Sequence, residues 1–395
     1  VQDLTGQSGE GGPRVEFDPF AGPYPAGASH ARMDELREAR PAFRSTAGHG
    51  FWVLTRYDDI LAAFQDPETF SSRAIAVSDP DPAHQWIPVM LDPPLHTTWR
   101  RLLRPFFTPV AAAVLRDRIT RHCAALIDGF ASRGSCDFVT DFARLYPTAI
   151  FLELVGLPTE RLEEFLEWEH AILHSPPSTG GRGAAMAALT ACLTELIQDR
   201  RTRPREDLIS AATGFTVDGR PVTDEELLEL CVLLFLAGLD TVAAQLSYIF
   251  WHLARDDAAR ARMAGDPEVI PDAIEEFLRV YAPVLPARKL TRDVEIHGCP
   301  MKAGDMVMLP TAMATRDPRA VPAASAVDID RPPARHLAFG AGPHRCLGSH
   351  LARLELQIAL REWHARIPDY RIAPDARPVE HASLVLGLET LPLTW

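Results

Sequence analysis

A single cysteine in the glycine-rich decapeptide Phe339-Gly340-Ala341-Gly342-Pro343-His344-Arg345-Cys346-Leu347-Gly348 constrains this chain more than any other stretch. Its three glycines let a backbone loop pass close to a large flat body and permit turns that Cβ-bearing residues resist. An apolar run follows directly, so Cys346 is expected where a helix starts. There the positive end of the helix dipole and unpaired N–H groups favour a thiolate, a ligand for a soft metal. No second cysteine stands at metal-pair spacing, which argues against zinc and iron–sulfur clusters, since both gather several ligands. A single axial thiolate suits haem iron. The plainer alternative is a buried structural thiol.

The longest helix is expected to open at Thr223, where Glu226 three residues on completes a capping box, and to run to about Ala254. From Cys231 to Leu239 it is apolar on every side, which suits a helix passing through the interior. Some thirty residues at 1.5 Å rise cover about 45 Å, the width of a protein this size. Midway, Ala237-Gly238-Leu239-Asp240-Thr241 sets a glycine, an acid and a hydroxyl together. Gly costs about 1 kcal/mol there against Ala, and a buried carboxylate costs more without partners. Both are tolerable where something flat packs and water enters.

Helical periodicity also marks Asp58–Phe64, His96–Phe107, Val110–Phe130, Phe142–Val155, Glu160–Leu173, Ala184–Arg200 and Pro271–Val280, and Phe51–Thr55 reads as a strand. The loop 175–183 reads as a mobile lid or a plain solvated connection. Val1 to Arg14, polar and Gly-rich, reads as a disordered tail, leaving 15–395 as a single domain. A net charge of −13 disfavours nucleic-acid binding. Six scattered cysteines without a CxxC suit reduced thiols in a cytosol. No stretch reads as a membrane span, the best, Cys231 to Leu239, being cut short by Asp240.

The decapeptide resembles the haem-binding signature of the cytochromes P450, and the resemblance extends from about Phe51 to Trp395. It implies a mainly α fold with small β-sheets, a single triangular-prism-like domain crossed by a long distal helix, and one haem b per chain. Cys346 would be the metal ligand, with Ala237, Phe339, Gly340 and Gly348 against the haem. Four residues match propionate-binding positions: His96 and Arg100 on one helix face, Arg288 at the start of a probable strand, and His344. His336 is a weaker candidate and equally a satisfied loop histidine. Asp240 and Thr241 match the acid–alcohol pair, a proton relay and a hydrogen bond to dioxygen that favours productive O–O cleavage. Glu276 and Arg279 match the ExxR pair and Arg331 its third member, a structural network holding the cysteine loop.

The resemblance further implies a soluble, cytoplasmic, monomeric monooxygenase of the bacterial class I type, acting with dioxygen on a small apolar substrate, terpenoid, aromatic or polyketide-like. Ala74–Met90, Leu233, Leu236, Val284, Leu285, Val385 and Leu386 would line the substrate pocket. Electrons would come from a separate ferredoxin and its NAD(P)H-dependent reductase, since no dinucleotide fingerprint follows a strand. Arg101, Arg104 and Arg345 would steer the acidic ferredoxin. Two alternatives keep the fold: oxidative coupling or peroxide-driven chemistry, and non-enzymatic haem or gas binding.

Overall fold

The computed structural model describes residues 8–9, 12–174, 180–381 and 383–395. The long helix spans Asp224–Leu253, and its capping box is complete: Thr223 Oγ accepts the Glu226 N–H at 3.2 Å, and the Glu226 carboxylate accepts the Thr223 N–H at 2.9 Å. Its first half, to Leu239, packs into one apolar cluster with Trp99, Phe165 and Leu193, and its second half, from Val242, into another with Trp363 and Phe277. Asp240 and Thr241 fall at the seam, where polar groups interrupt neither core. By length and composition this helix could cross a membrane, contrary to the sequence expectation, but 67% of its most apolar window is buried inside the protein.

The fold is mainly α with small sheets, as expected. The largest sheet has seven strands in the order Ser8–Gly9, Gly12–Val15, Ala42–Ser45, Phe51–Leu54, Met306–Met308, Ala287–Leu290, Phe70–Ser71. Gly12–Arg14, assigned to the tail, are therefore strand residues, paired in parallel with the Ala42–Ser45 strand. Ala287–Leu290 carries Arg288 opposite Val307. Beyond it, Val284 bridges Val385, with Leu285 N–H donating to Leu384 O and Leu386 N–H to Pro283 O, both at 2.8 Å.

Several helix boundaries differ from the periodicity. Val110–Phe130 is two helices, Pro109–Val114 and Arg116–Phe130, the first capped by Thr108 Oγ accepting the Ala111 N–H. Residues Arg104–Phe107 tighten into a 3₁₀ turn after Leu95–Leu103, and a π turn, Val139–Ala143, precedes Leu145–Val155. In the loop assigned as a lid, residues 175–179 lie outside the described residues, and Gly181-Arg182-Gly183 begin a helix, Gly181–Thr202.

The helix after the cysteine, Ser349–Arg366, buries Glu355 with no cation beside its carboxyl among the described residues. Burial pushes this acid from 4.5 up to about 8. With the folded-state value above the unfolded one, the protonated acid costs nothing below 4.5, and stability declines as pH rises from there to about 8. A Glu355→Gln variant is expected to unfold at a higher temperature than the wild type at pH 7.5, with the advantage shrinking by pH 5, in melts followed by circular dichroism.

Candidate functional site

The cysteine loop is shaped by its own backbone. Cys346 N–H donates to Phe339 O at 2.8 Å and Gly340 N–H to Leu337 O at 2.8 Å, closing a narrow turn. Gly342 has φ +66° and lies so close to the Phe64 carbonyl that a Cβ would sit 2.2 Å from its oxygen, so only glycine fits. Cys346 stands ahead of Ser349, the first residue of the helix, rather than inside its first turn. Its side chain keeps accessible surface although protein atoms surround it, the condition of a group lining an internal cleft. Burial pushes the thiol up, against the Gly348 N–H and the charges of Arg100, Arg345 and Arg353. Burial thus outweighs the helix end in the free thiol, and a metal bound here would displace the proton to solvent and hold the thiolate.

On the long helix, Leu233, Ala237 and Thr241 keep accessible surface four residues apart, while Leu234, Phe235, Leu236 and Val242 to Trp251 are buried. Spacing of four places the three on one face, which opens on a cleft in the interior of the protein. Thr241 Oγ donates to Ala237 O at 3.2 Å, a back-bonded hydroxyl one turn along the helix. Gly238 is explained by a ring: a Cβ there would stand 2.4 Å from Phe151, so the flat body packed on it is a phenylalanine of Leu145–Val155. Asp240 points elsewhere. Its Oδ2 lies 3.5 Å from His174 Nε2, which also lies 3.6 Å from Glu169 Oε1. Burial opposes ionisation of Asp240, but the His174 cation prevails and holds it below the usual carboxylate value, while the two acids lift His174 to about 10. His174 and Glu169 carry no motif and were not found from sequence; only the fold brings them to Asp240.

The four expected propionate partners converge. His96 and His344 lie in tilted contact with ring centroids 3.9 Å apart, and Arg100 donates to the Arg345 carbonyl at 2.5 Å. Both ring nitrogens of His96 and Nε2 of His344 are buried without a partner. Burial, then the neighbouring arginines, push His96 down to about 4 and His344 to about 2; burial lowers Arg288 to about 10. The Arg100 and Arg288 guanidinium groups and these neutral, unpartnered ring nitrogens have Asp92 acting on His96 and Arg288, and can together take a further anion. A haem, whose two propionates would supply it, fits this donor set. Gly340 and Gly348 also open on space that a Cβ would enter without contact within 4 Å.

Behind the loop lie two ion-pair networks. Arg279, fully buried, donates Nε and one NH2 hydrogen to Glu276 at 2.8 and 2.7 Å and its remaining N–H groups to Thr315, Ala324 and Ala326 carbonyls. Arg331 Nε completes the set at 3.2 Å from Glu276. Burial opposes ionisation of Glu276, yet Arg279 holds it below the usual range. The adjacent Glu275 takes Arg353 at 2.5 and 2.8 Å and His336 at 3.0 Å. His336 is thereby the satisfied loop histidine, and Arg353 also covers the Phe339 ring at 4.5 Å. Glu275 and Arg353 went unseen in the sequence, though the second glutamate beside an ExxR and an arginine one turn into the cysteine helix were the available signals. Leu236, Leu285, Val385 and Leu386 are buried and Leu233 and Val284 half-buried.

A family model described as cytochrome P450 matches residues 184–363. The probable cytochrome P450 127A1 of Sinorhizobium fredii is 37% identical over 384 residues, covering 95% of this chain and 92% of that protein. The chain belongs to the cytochrome P450 family. Among other relatives of this P450, the mycinamicin IV hydroxylase/epoxidase of Micromonospora griseorubida is 32% identical, covering 92% of this chain and 95% of its own. The crystal structure of CYP101J2 superposes with a TM-score of 0.90 at 33% identity, covering 100% and 99% of the two chains. The protein is thus a bacterial P450 monooxygenase with haem b as cofactor.

In this P450, Glu276→Ala would leave Arg279 buried with two N–H groups unpaired, a loss of about 3–5 kcal/mol. Haem content per chain and the thermal midpoint are expected to fall sharply, and further than in Arg331→Ala, whose guanidinium is partly solvated.

Proposed function

We propose that this P450 inserts one atom of dioxygen into an apolar small molecule, by hydroxylation or epoxidation of a terpenoid, aromatic or polyketide-like substrate, with electrons from a separate ferredoxin and reductase. One observation carries the reading: an accessible thiol enclosed by protein, beside a cationic set in which three buried ring nitrogens lack partners. When bound, the haem supplies the oxygen-activating redox chemistry. Cys346 would ligate its iron as a thiolate, and His96, Arg100, Arg288 and His344 would bind its propionates. Phe339, Gly340, Gly348 and Ala237 would leave room for its faces. Residues 15–395 would act as one domain in the cytoplasm, as a monomer, the strand Gly12–Val15 included.

Leu233, Leu236, Val284, Leu285, Val385 and Leu386 would exclude water and orient the substrate by shape alone, since none carries a polar group. The mycinamicin IV relative is named for hydroxylation and epoxidation, which supports that reaction class. Thr241 holds its hydroxyl proton on the Ala237 carbonyl at 3.2 Å, a weak bond exchangeable for dioxygen or water. Asp240, held ionised, takes its proton from His174 Nε2, so the relay begins one residue further back than the acid–alcohol pair. The intact pair favours monooxygenation over coupling or simple gas binding.

For the ferredoxin, Arg101, Arg104 and Arg345 are exposed, and Arg100 joins the Leu95–Leu103 helix to the Arg345 carbonyl, so the three arginines would serve as its docking face. Val110 and Val114, 75% and 79% exposed on a helix packed against the cysteine helix, add an apolar contact to that face. Arg104→Glu is expected to slow ferredoxin-driven turnover several-fold, the loss growing at low salt, with substrate-binding spectra unchanged. Reduced, carbon-monoxide-treated protein should show the strongly red-shifted Soret band of thiolate ligation, absent in Cys346→Ala. Labelled dioxygen should appear in the product. Thr241→Ala should keep consuming NAD(P)H while releasing more peroxide per product; a Thr241→Ala enzyme that stays fully coupled would count against the relay.

A further inference from the structure

The charged cluster behind the long helix has more ligating atoms than the proton route needs. His174, Asp240 and His381 each offer one donor atom, all within 4.8 Å of one another. Asp240 Oδ2, Glu169 Oε1 and His381 Nε2 are buried without hydrogen-bond partners. His174 Nε2 stands 3.5 Å from Asp240 Oδ2 and 3.6 Å from Glu169 Oε1. Donors on one tetrahedral zinc, with bonds of about 2.0–2.2 Å, lie about 3.3–3.6 Å apart, so the His174–Asp240 separation already matches a shared ion. His381, with its donor within 4.8 Å of both, needs only a small side-chain adjustment to join them.

The surroundings suit a ligand set. The other nitrogen of His381, Nδ1, is 3.6 Å from Glu389 Oε1, the carboxylate that a metal-binding histidine uses to fix its tautomer and aim Nε2 at the ion. Gly387 lacks the Cβ that would stand 2.9 Å from that Nε2, so the ring fits where it is. Arg144 holds the far oxygen of Glu169 at 3.5 Å. Burial keeps His381 neutral, down at about 4, the form a metal takes.

We propose that His174, Asp240 and His381 form a binding site for a zinc-class divalent cation, separate from the haem iron, with Glu169 beside His174 adding negative charge. Zinc replaces the proton on His174 Nε2 and releases it to solvent. The exchange also balances charge: two carboxylates now share one histidinium, whereas a dication neutralises both. A filled site occupies Asp240, so zinc would slow turnover at proton delivery. That consequence rests on the proposed proton relay; the binding itself does not.

The test uses the haem-loaded protein, equilibrated with micromolar Zn²⁺, dialysed, and analysed for zinc and iron together. About one zinc per haem is expected, with affinity falling at least tenfold in His381→Ala and in Asp240→Asn while iron content and the carbon monoxide spectrum persist. X-ray absorption at the zinc edge of the wild-type protein should show nitrogen and oxygen at about 2.0–2.1 Å with imidazole scattering and no sulfur near 2.3 Å. Should His381→Ala not fold, this spectrum decides the question alone. No bound zinc, equal zinc in the variants, or a sulfur shell would overturn the site and leave a histidinium bridging two acids. Stoichiometric zinc with undiminished turnover would uphold the site and sink the relay.

Discussion

The buried guanidinium of Arg279 is the constraint on which the rest of the structure depends. A fixed charge with no exposed surface is tolerable only if every N–H finds an acceptor, and here Glu276 and three backbone carbonyls take all five. Those carbonyls belong to the chain between Thr315 and Ala326, so one helix residue fixes the irregular segment leading to the cysteine. Glu275, the next residue on the same helix, reaches forward to Arg353 and His336 and fixes the segment on the far side. Two consecutive acids thus clamp the loop before and after Cys346. The loop can then keep a backbone geometry set by Gly340 and Gly342 without regular secondary structure of its own.

Across the cleft, the long helix works by different physics. Its two halves anchor in different apolar clusters, and the seam between them is where a carboxylate and a hydroxyl can be held at low cost. Charge is segregated around this seam. Basic side chains gather beside the cysteine loop, where burial and the charges of Arg100 and Arg288 keep His96 and His344 neutral. Acids gather behind the helix: Asp240 and Glu169 raise the proton affinity of His174 against its burial, and Glu389 lies beside His381. The two groups are built on separate sides of one element.

Most of the cofactor side was legible because it rests on local chemistry. Cys346, the glycines, the Glu276/Arg279 pair and the Thr223 capping box are short-range patterns whose physical reason lies within a few residues. The four basic positions that the resemblance singled out lie near one another in the structure. Less legible were the pieces that depend on packing. Gly238 answers to Phe151 some ninety positions earlier, Gly12–Val15 leaves the tail to complete a sheet, and the expected helix-end stabilisation of the thiol gives way to burial.

The chain's own order of residues determined the glycine-rich cysteine loop, the central helix with its mid-point acid and alcohol, and the mainly helical fold, since each follows from hydrogen-bonding and periodicity over neighbouring positions. Only the tertiary structure decided what Asp240 touches. His174, Glu169 and His381 come from the end of one helix and from a strand near the C-terminus, and no spacing links them to residue 240. Ion pairs and proton affinities depend on distance through space and on burial, and both quantities exist only after the chain has folded.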